Sequence, residues 1–321
     1  MGNRTKRWLT ATGIVTGISA AVGSAIGLLA TNRLMYMKKK EDDVILQREI
    51  SAKRFDEGWY NAVHKTERWV DSPNGYRLKA VLLEPLETSH YVVISHGVTE
   101  NKINSVKYAR MFERLGFNSV IYDHRRHGDS EGRTTSFGHY EKTDLGAVID
   151  ELRNFAGQEA IIGVHGESMG AATSLLYAGG VGDEADFYIA DCPFSDFTEQ
   201  VLHILRRSTP LRTGFAIRLA NVFLKVRDGY TLDLVSPRQS VVSIQRPVLF
   251  IHSLEDDFIL PEMTKELYEL KPEPKSIRLF EKGAHAQSFN ENTEEYEQTV
   301  RAFLEEHGLF PYSADSRTGI A

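Results

Sequence analysis

Ser168 stands at the centre of Gly166-Glu167-Ser168-Met169-Gly170. This is a G-x-S-x-G pentad, in which a sharp strand-to-helix turn lifts a serine hydroxyl above a sheet. A serine hydroxyl attacks a carbonyl only when a base takes its proton and a carboxylate orients that base. Among the 11 histidines, His285 in "FEKGAHAQSF" follows the last β-rich run and precedes the final helical one, on a Gly283-Ala284 turn. His96 and His127 also fall in loops, but both precede the serine. The carboxylate candidates are Glu255, Asp256 and Asp257 in "LFIHSLEDDFILP", just after the run from Val248 to His252. Together these residue types point to acyl transfer through a serine-bound intermediate.

Such groups converge only if a framework brings them to one edge. From Thr66 onward, short β-rich runs alternate with helical ones: "ERWVDS", "YRLKAVLLEP", "YVVISHG", "FNSVIYDH", "AIIGVHG", "DFYIADC", "PVLFIHS" and "SIRLFE". The first two read as an antiparallel pair around the turn Pro73-Asn74-Gly75. Helical patterns fall in "NSVKYARMFERLG", "KTDLGAVIDELRNFAG", "MTKELYELK" and "TEEYEQTVRAFLEEHG". Near-continuous apolar strands between amphipathic helices predict an α/β fold, a mostly parallel sheet covered on both faces. In such sheets functional groups gather at strand C-termini, where Ser168 and His285 both fall.

The chain of 321 residues is 41% hydrophobic and 26% charged, enough to bury one large core. Its net charge of -6 offers no basic footprint for a nucleic acid, so none is expected as a partner. Cys192 is the single cysteine, which excludes an intrachain disulfide and a cysteine-based zinc site. It reads as a small buried residue. No cofactor or metal is called for.

The first fifth is different. "WLTATGIVTGISAAVGSAIGLLATN", residues 8–32, carries no charge and is long enough for one membrane-spanning anchor helix. Arg4, Lys6 and Arg7 precede it, and Arg33, Lys38, Lys39 and Lys40 follow, close to a tie. The orientation adopted has a cytoplasmic N-terminus and an external catalytic domain. Gly13 with Gly17, and Gly23 with Gly27, form small-xxx-small pairs that could bring two such helices together. Residues 33–65 mix charge and apolar residues as a juxtamembrane helix or linker does, with no active role required. The domain itself runs over 66–309, and 310–321 reads as a flexible tail. Residues 194–246 interrupt the sheet pattern and form a cap insertion. There Phe215, Leu219, Val222, Phe223 and Val226 share one helical face, and Val201, Leu202 and Leu205 indicate a second short helix. The longer stripe either shelters an acyl chain or docks its helix on the domain.

Five segments in order, "SHGVTENK", "YDHRRHGDSEG", "GESMG", "LFIHSLEDDFILP" and "GAHA", resemble the oxyanion, support, nucleophile, acid and histidine loops of the α/β-hydrolase superfamily. The resemblance spans roughly Thr66 to Gly308. It is greatest to bacterial membrane-anchored hydrolases related to monoacylglycerol lipases and serine aminopeptidases. Aligning Ile259-Leu260 with the family's Val-Pro pair makes Asp256 the acid. Arg126 and Ser253 stand where the family usually has glycine, and Leu260 where it has proline.

The resemblance implies a serine hydrolase with Ser168 as nucleophile, His285 as base and Asp256 as orienting acid. A small-molecule carboxylic ester, lipid-like or of medium chain length, is the expected substrate. The oxyanion donors are the backbone N–H of Met169, beside the nucleophile, and by family resemblance that of Val98. His96 is expected to brace its loop, and Asp123, Arg125 and His127 to form a hydrogen-bonded support loop. The same groups serve an aminopeptidase or amidase, and the fold also serves a catalytically silent membrane-tethered scaffold. A silent relative usually lacks one of the three residues, and here all are present.

Overall fold

The computed structural model describes residues 23–208 and 213–311. Eight strands form one sheet in the order β1-β2-β4-β3-β5-β6-β7-β8. They are β1 Lys65–Asp71, β2 Arg77–Leu83, β3 His90–Ser95, β4 Asn118–Tyr122, β5 Ile161–Glu167, β6 Phe187–Asp191, β7 Val248–Ser253 and β8 Lys275–Phe280. Each overlaps one of the eight β-rich runs. β1 and β2 form the antiparallel pair, with Lys65 opposite Leu83 and Asp71 opposite Arg77, and Gly75 takes the turn at φ +82°. β2 also runs antiparallel to β4, and every remaining pairing is parallel.

Parallel strands buried on both faces need covering layers, and two apolar clusters supply them. On one face Leu145, Ile149 and Leu152 of helix Glu141–Ala156 meet Val93, Val164 and Tyr188. On the other, Phe112 of helix Val106–Arg114 and Val300 and Phe303 of helix Thr293–Glu306 meet Val92, Ile94 and Phe187. The register then aligns the strand ends. Ser95 sits beside Gly166, Glu167 beside Asp191, and Ser253 beside Phe280, so the loops leaving β3, β5, β6, β7 and β8 emerge along one rim.

A third cluster holds the cap. Helices Phe197–Ser208 and Thr213–Asp228 lie over this rim. The longer helix docks through Ile217, Ala220 and Leu224, which join Phe137, Met169, Phe194 and Phe197. The stripe chosen from the sequence splits: Phe215, Val222 and Val226 are exposed, and Leu219 and Phe223 face helix 23–35. The reason is that a second apolar surface covers this helix from the side. Gly23 approaches Leu219, a Cβ on Gly27 would fall on the Phe223 ring, and Thr31 bonds Arg227, so the two helices run parallel. Gly23 and Gly27 therefore face the chain's own cap.

Residues 8–22 of the expected anchor, with Gly13 and Gly17, lie outside the described residues, as do 312–321 of the tail. Among the described residues no helix is long and apolar enough to cross a membrane.

Candidate active site

Ser168 joins β5 to helix Met169–Gly180 and adopts φ +55°, ψ −114°, a left-handed conformation costly for any residue with a Cβ. Its neighbours make the bend feasible. A Cβ on Gly166 would lie 2.5 Å from Ala171 N, and one on Gly170 would fall on the Ser95 carbonyl and 2.8 Å from His96 O. The turn is held by Ser168 N donating to Asp191 O at 2.8 Å. Met169 opens the helix, where the first N–H groups have no intrahelical acceptor.

The loop after β8 brings the histidine to the serine. Gly283, at φ +121°, reverses the chain so that His285 Nε2 lies 2.8 Å from Ser168 Oγ. On its far side His285 Nδ1 lies 2.7 Å from Asp256 Oδ2. The three candidate carboxylates separate here. Glu255 accepts from Gly283 N at 3.1 Å and so holds the histidine loop, and Asp257 pairs with Arg207 at the surface. Asp256 alone reaches His285. Its Oδ1 accepts the N–H groups of Phe258 and Ile259 at 2.9 and 3.0 Å. Burial pushes this carboxyl up, but hydrogen bonds from His252 and His285 outweigh burial and hold it well below the usual carboxylate range. It is therefore an anion at neutral pH, and Nδ1–H of His285 faces it, leaving Nε2 to accept the serine proton.

The positions that depart from the family pattern are explained locally. Ser253 Oγ bonds Ser288 Oγ at 3.0 Å and lies against Gly283. Leu260 is extended, φ −69° and ψ 138°, and hands on to Pro261 at the first turn of helix Pro261–Leu270. Arg126 sits at φ +63°, the conformation that favours glycine there, and donates to Met37 O at 2.9 Å.

His96 is fully committed to its loop: Nδ1 lies 2.7 Å from Gly97 O, and Nε2 accepts from His124 N at 3.0 Å. Burial lowers its pKa to about 4 and that of His127 to about 3, so both are neutral. The support loop is held mainly by residues outside it. Asp123 accepts from Lys102 N, Lys102 Nζ and Asp129 N, and a Cβ on Gly128 would collide with its carboxylate. The Arg125 guanidinium lies over Tyr76 and Tyr140, and His127 meets Thr99 N at 3.2 Å.

Ser168 opens on two cavities. A small one of about 80 Å³ is almost wholly apolar, lined by Val98, Met169, Phe194 and Phe197 and by Val201 and Ile204 of the shorter cap helix. The larger, about 460 Å³, mixes apolar wall such as Met37, Val98 and Phe258 with charged side chains, and reaches His285, Glu167, Lys107, Lys40, Arg48, Glu49, Arg54 and Glu100. Val98 lines both.

Three features of the site lie beyond the sequence reading. His252, at the buried end of β7, places Nε2 3.1 Å from Asp256 Oδ2 and Nδ1 2.6 Å from Thr264 Oγ1. Glu167 is buried beneath the larger cavity, accepting from Lys107 Nζ at 3.1 Å, Tyr108 OH at 2.7 Å and Asn104 at 3.2 Å. A charged residue closing an apolar strand was the available signal for it. Most distant from expectation, the segment 33–65, expected as a juxtamembrane helix or linker with no active role, straps across the rim. Thr135 N bonds Met35 O, Lys40 N bonds Thr99 O at 3.2 Å, and Arg48 of helix Asp42–Ser51 binds Glu100 at 2.7 Å. The strap thereby supplies walls to both cavities.

A family profile described as Hydrolase_4, serine aminopeptidase S33, matches residues 87–242. The uncharacterized protein YqkD of Bacillus subtilis (strain 168) is 44% identical over 295 residues, covering 91% of this chain and 97% of that one. Lysophosphatidylserine lipase ABHD12 of Danio rerio is 25% identical over 68% of this chain, which spans only 54% of that relative. Among solved structures, an esterase of Pyrococcus furiosus superposes with a TM-score of 0.62 at 20% identity, covering 76% of this chain and 93% of its own. An acylaminoacyl peptidase of Pyrococcus horikoshii gives 0.57 at 18%, over 79% and 44%. At those identities the likeness is one of fold. With the sheet order, the strained serine turn and a relative matched over nearly its whole length, the chain belongs to the α/β-hydrolase superfamily.

Proposed function

We propose that the protein is a serine hydrolase that cleaves carboxylic esters through an acyl-enzyme. The relay Ser168–His285–Asp256, at 2.8 and 2.7 Å, carries this reading. His285 Nε2 takes the Ser168 proton as Oγ attacks the ester carbonyl, and the imidazolium so formed is stabilised by the Asp256 anion. The negative charge on the carbonyl oxygen is met by the N–H groups of Met169 and Val98, each worth about 3 to 4 kcal/mol in such sites. His285 returns the proton to the leaving alcohol, and a water activated by the same nitrogen releases the acid. The apolar cavity beside Ser168 supports an acyl chain as the part bound there.

An aminopeptidase of the same fold needs an unpaired carboxylate for the substrate ammonium. Here Glu49, Glu100 and Glu167, the acids lining the larger cavity, are each paired with lysine or arginine. We also propose that residues 8–32 anchor the enzyme in a membrane, with the catalytic domain outside the cytoplasm. The absence of any charged residue over that run supports the anchor. Carbonate extraction of membranes and protease accessibility of intact cells test the anchor and its direction.

Turnover of p-nitrophenyl esters of rising chain length, beside aminoacyl amides, tests the activity. Ester cleavage that Ser168→Ala, His285→Ala and Asp256→Asn each reduce by roughly 10³-fold or more is expected. Amide cleavage without ester cleavage would overturn the ester assignment.

A further inference from the structure

We propose that the larger cavity beside Ser168 receives an anionic alcohol portion of the ester, a phosphate- or carboxylate-bearing group held by Lys40 and Arg54 of the strap with Arg48 between them. The proposal rests on Ser168 being the nucleophile.

The two cavities meeting at Ser168 differ in chemistry, which divides an ester into two halves. The smaller offers apolar side chains apart from Ser168 and Gln200, so the acyl chain belongs there. The alcohol portion must then occupy the larger, where seven charged side chains converge. Their pairing decides which sign of charge a ligand meets. The cations are the exposed partners: Lys40 is 42%, Arg48 35% and Arg54 24% exposed, against 11% for Glu100 and 2% for Glu49. The carboxylates lie behind them and fix their positions. Glu100 is held down at about 2: burial raises it, and hydrogen bonds and charge from Arg48 and Lys40 more than offset that. It therefore stays ionised and keeps both cations in place.

Donors remain for a ligand. Arg54 spends Nε and one Nη2–H on Glu49, leaving guanidinium N–H groups unused by that pair, and Lys40 uses one of three ammonium protons on Glu100. Arg48 is more fully engaged, with Glu49, Glu100 and Asn104, and acts to position Glu100. Four cations against three carboxylates line the cavity, and the buried Lys107–Glu167 pair cancels itself. An anion entering the cavity thus meets partly desolvated N–H donors, where charge-assisted hydrogen bonds are strongest.

The test compares three butanoate monoesters, of glycerol, of glycerol 3-phosphate and of glycerate, with p-nitrophenyl butanoate as reference. In the full-length protein, kcat/KM for the phosphate or the glycerate ester exceeds that for the glycerol ester by about tenfold, the value of one charge-assisted hydrogen bond. Which of the two acidic esters gains identifies the anion. Lys40→Gln and Arg54→Gln each lower that anionic-to-neutral ratio about threefold or more, and added salt lowers it in the unmodified protein. Circular dichroism verifies folding, and either folded variant suffices. A ratio at or below one, or a ratio unaltered in the folded variants, overturns the proposal while p-nitrophenyl butanoate turnover leaves Ser168 as nucleophile. Loss of that reference turnover as well would instead remove the reading on which the proposal rests.

Discussion

His252 and His285 address the same carboxylate oxygen, with His252 Nε2 3.1 Å and His285 Nδ1 2.7 Å from Asp256 Oδ2. One side chain faces the serine, and the other is fully buried against Thr264. Asp256 therefore sits between two imidazoles, with two backbone N–H groups on its other oxygen. Its orientation is fixed before any substrate arrives.

His252→Leu removes one donor from that carboxylate without touching the reacting atoms. The lost hydrogen bond to a charged acceptor is worth about 1.5 to 3 kcal/mol, part of which falls on the transition state. We expect kcat on a short ester to fall about tenfold with little change in KM. An unaltered kcat would show that His252 only fills space.

Arg126 joins the strap to the support loop at the cost of a left-handed backbone. Arg126→Gly relieves about 1 kcal/mol of strain but deletes the bond to Met37 O. Amide hydrogen exchange at Lys40 and Thr135, which bond across the strap, should quicken about tenfold with no loss of global stability. Unchanged exchange at both amides would mean that the strap is held elsewhere.

Acidification should destabilise the fold before the bulk of the carboxylates titrate. His96, His124, His127 and His165 are buried and held below their ordinary pKa, with values of about 4 for His96 and about 3 for His127 and His165. Burial is the main cause in each. Below pH 6.5 the unfolded chain takes protons that these residues refuse when folded, so stability drops as pH falls towards their folded values. Each contributes on the order of 1 kcal/mol per pH unit in that window. Asp191 and Asp144, raised by burial to about 7 and about 6, and Asp123 and Asp228, also raised by burial, act in the opposite sense, while His90 and His139, both lowered by burial, add to the histidine side, so that the six histidines outweigh the four aspartates. Urea denaturation at pH 7, 6 and 5 should show a falling midpoint, and a rising one would contradict this balance.

Much of the framework was legible because strand burial leaves a plain trace. Eight apolar runs appear where eight strands occur, and the strand-end positions of Ser168 and His285 follow from their order. Choosing among Glu255, Asp256 and Asp257 required either family resemblance or three-dimensional geometry, since all three follow the same strand. The role of the cap stripe was not legible because the helix is covered on two sides: Leu219 and Phe223 of that stripe face helix 23–35, and the docking on the domain is done by Ile217, Ala220 and Leu224 on the other face. The strap was the least legible element. Met37, Lys40, Arg48 and Arg54 form no periodic pattern, and their common property is the cavity they line, made by contacts across a long stretch of chain.

The most direct test of the central claim is labelling with a fluorophosphonate probe, followed by mass-spectrometric mapping of the modified residue. Modification of Ser168, abolished in a folded Ser168→Ala variant and strongly slowed in His285→Ala, is the predicted result. Absence of modification in the folded, unmodified protein, or modification at another serine, would contradict it.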